Sequence, residues 1–292
     1  MLQDFFKLNA AESVAKIATE DEFLELVRAN KRIDNAIVFA PELRPPRPQN
    51  AIRNKTFCNV SFKSTHFYDV EFRYCDFEDC LFVGSQFDHC EIHHCTFNDC
   101  NFHKVRLVDT YVDPQVFVGM FDPARHANIG VHVFQQLRSN ALNTHQPEFF
   151  QTADWQFRRW LRYELIDKFK RKQARFREIW WPVTRNWGYE FFIGYGHSLV
   201  RFGLTSLVLF VGILSFNCWF WRSAEMNMTE KVQAVDGLSK AIYYTIITLT
   251  TLGYGDITPT TAEGMFVAGI EALLGLIWFG MLTSIIVKKV FR

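Results

Sequence analysis

Two hydrophobic patterns divide this chain. From Ile52 onward every fifth residue is apolar for 14 positions: Ile52, Phe57, Phe62, Phe67, Phe72, Phe77, Phe82, Phe87, Ile92, Phe97, Phe102, Leu107, Val112 and Phe117. With about half of all residues apolar, one frame reaches this by chance on the order of 1 in 10,000 times. A period of five belongs to neither helix nor strand, so the pattern requires a repeating coil. The second pattern is continuous. Phe202 to Trp221 carries no charge, and Gly264 to Val287 carries only Glu271. At ~1.5 Å per residue each run crosses a hydrocarbon core ~30 Å thick. Between them Leu238 to Leu249 is a helix-length, mostly apolar stretch in which Lys240 is the one charge, with Asp236 as its N-cap.

The stretch ends in Thr248-Leu249-Thr250-Thr251-Leu252-Gly253-Tyr254-Gly255-Asp256. In this setting of span, short helix, loop and span, the chain resembles the two-transmembrane-helix potassium channels over about residues 197–290. The resemblance implies a homotetramer in which four loops line a filter with carbonyl oxygens that replace the water around K⁺. Ala241 to Ile247 takes the place of the pore helix, whose C-terminal partial charge favours a cation. Thr251, Leu252, Gly253, Tyr254 and Gly255 take the place of the filter, with K⁺ held by Thr251 to Tyr254. Gly275 stands at the inner-helix hinge, and Leu276, Phe279 and Thr283 face the cavity. Leu252 replaces the usual Val, and Tyr243 and Tyr244 replace a pair of Trp; their hydroxyls are in reach of Asp256 or Tyr254 as filter supports, beside Thr250. Glu271, an acid in mid-span, is expected behind the filter in a buried structural bond. Strong inward rectifiers carry an acid near the place of Phe279, so weak rectification is expected.

The five-residue repeat resembles that of pentapeptide-repeat proteins. The resemblance implies a right-handed quadrilateral β-helix with four pentapeptides per turn, central residues inside, and the residue two before also pointing in. That second position reads Lys55, Val60, Thr65, Val70, Cys75, Cys80, Ser85, Cys90, Cys95, Cys100, Val105 and Thr110, small or β-branched after the first. Twelve pentapeptides make three turns. Cys75 with Cys95, and Cys80 with Cys100, then stack on successive coils and are read as buried packing rather than disulfides, with Cys58 outward. His89, His93, His94 and His103 fall on different faces, an awkward set for a shared metal. Some members mimic duplex DNA, but ten acids against six Lys/Arg between Ala51 and Asp113 is too mixed a surface for that, and no nucleic acid is expected.

Charge adds topology. The net charge is +1, but Trp155 to Arg177 holds nine Lys/Arg, from Arg158 to Arg177, against Glu164 and Asp167. Lys288, Lys289 and Arg292 follow the second span, whereas Arg222 and Lys231 between the spans are outnumbered by Glu225, Glu230 and Asp236. Both termini are therefore expected in the cytoplasm, in a cell membrane of prokaryotic plasma-membrane type. Asp4, Glu12, Glu20, Asp21, Glu22 and Glu25 argue against a cleavable signal. Asn227-Met228-Thr229 is a sequon on the outer side, read as idle. Thr19-x-x-Glu22 forms a capping box opening a helix that closes the coil's end.

Asp122-Pro123 and Pro147-Glu148 start two connector helices, over 123–142 and 147–178. The basic run on the second suits either anionic lipid headgroups, at ~1 kcal/mol per close base, or a solvated face. Trp180-Trp181-Pro182 is expected to interrupt the helix before an interfacial slide segment bearing Trp187, Tyr189, Phe191, Phe192 and Tyr195.

The expected organisation is 1–50 N-terminal helix and cap, 51–118 β-helix, 119–196 helical connector and slide segment, and 197–292 membrane pore. The function expected is passive, potassium-selective conduction with K⁺ ions in the filter, regulated through the N-terminal half by an unknown cytoplasmic ligand or protein. No catalysis, organic cofactor, voltage sensor or C-terminal nucleotide-binding domain is expected. The alternatives are a membrane-anchored interaction scaffold and a poorly selective cation channel.

Overall fold

The computed structural model describes residues 14–196, 198–220, 226–229, 233–234 and 236–290, with backbone alone at 288–290. Arg222, Glu225, Glu230, Lys231 and Arg292, the side chains of Lys288 and Lys289, and the acids Asp4 and Glu12 lie outside the described residues. The chain forms two compact units, Met1–Asn186 and Trp187–Arg292.

The first unit is a four-sided coil of short parallel strands. One side stacks β1 (Ala15–Ile17), β2 (Arg32–Val38), β5 (Thr56–Ser61), β8 (Asp76–Glu78) and β11 (Thr96–Asn98). A second stacks β3 (Glu42–Leu43), β6 (His66–Tyr68), β9 (Gln86–Asp88) and β12 (Arg106–Val108). A third stacks β4 (Ala51–Arg53), β7 (Glu71–Arg73), β10 (Glu91–His93) and β13 (Tyr111–Val112). The fourth side is held by single bridges of Ser61 to Leu81 and Leu81 to Asn101.

Every residue of the five-period lies inside, and the phenyl rings stack at the spacing of the strands. Phe57 and Phe77 are 5.0 Å apart and 7° from parallel, Phe77 and Phe97 5.0 Å, Phe62 and Phe82 5.2 Å, and Phe67 and Phe87 4.7 Å. Neighbouring sides meet edge to face, as in Phe57 against Phe62 at 72°. Both arrangements suit the ring quadrupole, and the 4.7–4.9 Å strand separation brings them about without further adjustment. The corners are set by backbone hand. Twelve residues at intervals of five, from Asn54 to Asp109, all have positive φ. Asn, Asp, His and Gly hold most of these corners, for the steric reasons that let them adopt the left-handed region.

The second inward position is buried from Val60 to Thr110, as expected. Its cysteines are all free thiols. Each donates to the coil beneath, Cys75 to the Ile52 carbonyl at 3.4 Å, Cys80 to Phe57 at 3.4 Å and Cys90 to Phe67 at 3.3 Å. Thr110 makes the same pair of bonds with its hydroxyl, to Phe87 at 3.0 Å and Val108 at 2.9 Å. Burial pushes the thiol of Cys80 up and that of Cys90 up to about 12, while the hydrogen bond with Cys75, with burial second, pushes that of Cys95 up.

The winding begins at β2, ahead of residue 51, and the coil has four turns rather than three. Ile33 lies opposite Phe57 and Leu43 opposite Phe67, a separation of 24 residues, against 20 for Phe57 and Phe77. The five-period is hidden there because residues 44–50 bulge out between Leu43 and Ile52. The bulge is pinned: Arg47 donates two 2.7 Å bonds to Asp69, and Asn50 donates to the Asp69 carbonyl at 2.9 Å. The Arg47 guanidinium holds the Asp69 carboxyl below its usual range.

Both ends of the coil are covered. Helix α1 (Glu20–Ala29) carries the Thr19/Glu22 capping box and lays Phe23 over Phe57 and Phe62, at 6.4 and 6.0 Å. At the other end a 3-10 turn, Pro114–Phe117, stacks Phe117 on Phe97 at 5.4 Å. Helix α2 (Ala127–Asn143) then pairs with the last coil through one amide: Asn140 accepts from the Thr110 N–H at 3.0 Å and donates to its carbonyl at 2.6 Å. This covers backbone that an edge strand would leave unpaired. Helix α3 (Pro147–Lys170) packs on α2 at Gly130, where a Cβ would collide with the Trp160 ring.

The connector departs from expectation in three ways. Pro123 lies in a turn in which Asp122 accepts from Ala124 at 2.9 Å, so α2 starts only at Ala127. The second helix breaks at 171–175, where Lys172 has positive φ, and Trp180-Trp181-Pro182 runs inside α4 (Phe176–Ile193). Pro182, the seventh residue of α4, lies inside the helix, which continues through it without the bond that an N–H there would make to the Glu178 carbonyl. Trp187, Tyr189, Phe191 and Phe192 are exposed on α4, whereas Tyr195 is buried.

The buried thiols lead to a prediction. In the native full chain, iodoacetamide at pH 8 leaves Cys75, Cys80, Cys90, Cys95 and Cys100 unmodified and reaches Cys58 slowly; in denaturant all six react. Mass spectrometry showing fast native labelling of Cys90 would contradict the packing.

Candidate functional site: a glycine-containing loop between two apolar helices

The second unit contains the two long apolar helices, α5 (Leu199–Phe220) and α7 (Ala262–Val290), with α6 (Gly237–Leu249) between them. The outer helices are long and apolar enough to span a membrane. Only Phe202 and Asn217 of α5 are buried, so this is not the core helix of a globular unit. Helix α6 starts as expected: Asp236 accepts from the Ser239 N–H at 2.9 Å, and hydrogen bonding from the Ser239 side chain, then its backbone, lowers the Asp236 carboxyl below the usual range.

The end of α6 sets the loop. The Leu252 and Gly253 N–H groups both donate to the Ile247 carbonyl, at 2.9 and 3.2 Å, which reverses the chain. From there φ is positive at Thr251, Gly253 and Gly255 but at neither Leu252 nor Tyr254. In a plain strand successive carbonyls point to opposite sides. A change of hand at alternate residues turns every second peptide over and brings them toward one side. Glycine meets this demand freely, but Thr251 does not, because a β-branched residue there is strained by about 1–3 kcal/mol.

Among the expected supports, Tyr243 donates to Asp256 Oδ2 at 2.7 Å, tying the helix to the loop's exit. Tyr244 is buried. Thr250 donates to the Ile246 carbonyl of its own helix at 2.7 Å. The exit strand β15 (Ile257–Pro259) pairs antiparallel with β14 (Met226–Met228), so the sequon residue Asn227 lies opposite Thr258. A second anchor is Thr229, whose N–H donates to the Asp256 carbonyl at 3.2 Å.

Glu271 is 5% exposed and joins a group of three that the sequence did not disclose. Asn217 on α5 donates to Thr245 Oγ1 on α6 at 3.0 Å and to Glu271 Oε2 on α7 at 3.3 Å. One amide therefore ties the short helix to both long ones. Asn217 was findable as the one amide in an apolar span, where a polar side chain needs a partner. Similarly, Trp278 donates to Ser206 at 2.7 Å and stacks on Phe202 at 5.0 Å.

Gly275 has a use that its expected role as a hinge did not include. A Cβ there would fall onto the Leu249 carbonyl, so glycine is what lets α7 touch the end of α6. Beside it lies a cavity of about 480 Å³ that brings Thr250, Thr251, Gly275, Leu276 and Phe279 together with Ser206 and Trp278. Thr283 is not in its lining; its hydroxyl donates to the Phe279 carbonyl at 3.0 Å. Leu252, Tyr254, Leu276 and Phe279 are 59–69% exposed in the single chain, an apolar surface left uncovered along the loop.

Residues 203–292 match the ion channel family, and residues 60–106 match pentapeptide repeats, in nine copies. The chain joins a pentapeptide-repeat domain to an ion-channel domain. The channel domain is similar to the potassium voltage-gated channel subfamily A member 2 of Xenopus laevis, 29% identical over 93 residues, which are 32% of this chain and 18% of the relative. It is similar also to subfamily A member 4 of Homo sapiens, 28% identical over 92 residues, 32% of this chain and 14% of the relative. The chain thus spans less than a fifth of the length of these relatives. No solved structure matches it.

The close approach at Gly275 predicts that Gly275→Ala displaces the end of α6. The thermal unfolding midpoint of the purified full chain in detergent should fall by several degrees, whereas Gly280→Ala, with open space around it in the same helix, should leave it unchanged or raise it. Equal midpoints for the two variants would contradict the packing.

Proposed function

We propose that the channel domain is one quarter of a homotetrameric, potassium-selective pore that conducts passively across the cell membrane. The observation that carries this reading is the alternation of hand at Thr251, Gly253 and Gly255, within Thr-Leu-Gly-Tyr-Gly-Asp. Four such loops around an axis offer rings of carbonyl oxygens from Thr251 to Tyr254 to a dehydrated K⁺. Several features support it. The loop's exposed apolar side chains need cover that one chain lacks, and a closed ring of identical subunits supplies it. Helix α6 ends at Leu249 with Thr250 as its C-cap, both in the cavity lining, so its negative end favours a cation there. The relatives to which the domain is similar are potassium channels by name. Passage of an ion makes and breaks no covalent bond, so no residue is assigned a catalytic role.

In this reading Tyr243 and Asp256 brace the filter from outside, and Asn217, Thr245 and Glu271 brace it from behind. Leu276 and Phe279 line the inner cavity, Gly275 permits the helix contact, and Thr283 lies deeper on α7. The repeat domain regulates the pore from the cytoplasm. Part of the basic run is already engaged, Lys168 by Glu164 at 2.9 Å and Arg171 by Asp167 at 2.8 Å. The lipid-facing role therefore passes to Lys170, Lys172, Arg175 and Arg177, near the helix break.

The reading is tested by ⁸⁶Rb⁺ uptake into proteoliposomes loaded with K⁺. The account expects uptake that excess external K⁺ abolishes and excess Na⁺ does not. Uptake suppressed equally by Na⁺ would favour a poorly selective pore built around Leu252, and none at all would favour a membrane-anchored scaffold.

Two substitutions test the braces. Tyr243→Phe removes one bond to a carboxylate, about 1.5–3 kcal/mol, and should lower the K⁺ over Na⁺ preference while the tetramer persists. Glu271→Gln keeps an acceptor for Asn217 and should conduct, whereas Glu271→Ala should lose flux. Equal flux from the two Glu271 variants would remove that residue from the bracing set.

A further inference from the structure

The pore reading leaves the outer surface of the coil without a ligand, and one side of it carries a cluster of a different kind. On β7 and β10, Glu71 and Glu91 stand directly opposite, and His93 follows two residues on, on the same outward face. One ligand atom from each lies within 4.8 Å of the others. Carboxylates in register on adjacent strands repel each other, so the pair calls for a cation between them. In the single chain Glu71 takes Arg73, and Glu91 meets His93 Nε2 at 2.9 Å. The His93 ring is held in plane by Tyr111, stacked 4.7 Å away at 30°. Glu71 and His93 are mostly shielded, with side chains 16% and 25% exposed, whereas Glu91 at 54% leaves the cluster open on one side. Glu71 and Glu91 also line a polar groove of about 390 Å³ beneath the pinned bulge at 44–50, which gives an ion and its water access.

We propose that Glu71, Glu91 and His93 form a binding site for a borderline divalent cation of the zinc class. Two oxygens and an imidazole nitrogen, with no sulfur, favour Zn²⁺, Co²⁺ or Ni²⁺ over Ca²⁺ and Mg²⁺, which take oxygen alone. Water from the groove completes the coordination. The ion ties the second coil, through Glu71, to the third, through Glu91 and His93. It is not a histidine cluster: His89, which lines the same groove, bonds Asp88 at 2.6 Å, and His94 stacks on Tyr74 at 5.0 Å. Arg73 competes, since Glu71 must leave it to bind metal, and Arg53 stands next to Arg73 in register on the same face. Affinity is therefore moderate, and it has a direction that can be tested.

The test is equilibrium dialysis of the full chain in detergent, without an affinity tag, against Zn²⁺ and separately Co²⁺. The expected result is one saturable ion per chain. Glu91→Gln and His93→Ala should each weaken binding by roughly tenfold or more, since even outer-shell partners of metals are worth that much. Arg73→Ala should tighten it. All three side chains point outward, so native protection of Cys90 from alkylation checks that each variant is folded. The Co²⁺ complex should show weak visible bands without a thiolate charge-transfer band. Absence of saturable binding, affinity unchanged in His93→Ala, or a thiolate band would each overturn the site. None of these outcomes depends on whether the protein conducts ions.

Discussion

A peptide carbonyl substitutes for water around an ion only if its direction is fixed before the ion arrives, and fixing it means holding the backbone in conformations that most residues avoid. The loop from Thr251 to Gly255 meets that constraint with left-handed φ at three alternate residues, only two of which are glycine. The strain at Thr251 must be held by its surroundings. The rest of the unit supplies that hold: Ile247 accepts two N–H bonds at the base, Tyr243 takes Asp256 at the exit, and Asn217 joins all three helices behind. Gly275 belongs to the same frame, because it lets α7 support the end of α6.

The repeat unit solves another backbone problem by repetition. A strand of three residues is too short to hold itself, but a side of stacked strands with a phenyl column behind it is not. Left-handed corners recur every five residues, and a thiol or hydroxyl at the second inward position bonds to the coil beneath. Such a stack fails at its ends unless they are covered, which is what α1, the 3-10 turn at Pro114 and the amide of Asn140 do. The coil is regular except for the bulge at 44–50, and the polar groove lies there.

Much of this was legible in the sequence because its physics is local or strictly periodic. The five-period placed the core of three coils, and the capping box and Asp236 placed two helix starts. The first coil was hidden because its period is broken by four extra residues, which shift Ile33 and Leu43 out of frame with Ile52. Pro182 was read as a break because a proline usually ends a helix, but α4 carries it in its interior and runs on to Ile193. The true break follows Lys170, where no proline or glycine marks it. Pairings across space were the least visible: Asn217 with Thr245 and Glu271, Gly275 against Leu249, and Glu71 with Glu91 and His93 all depend on where distant segments meet.

The central claim is that peptide oxygens of identical subunits choose potassium. Its most direct test is the reversal potential of the purified chain in planar bilayers, with KCl on one side and graded replacement of KCl by NaCl on the other. The account predicts a reversal potential that follows potassium, moving toward about 59 mV for each tenfold change in its concentration. A reversal potential that stays near zero as sodium replaces potassium would contradict it.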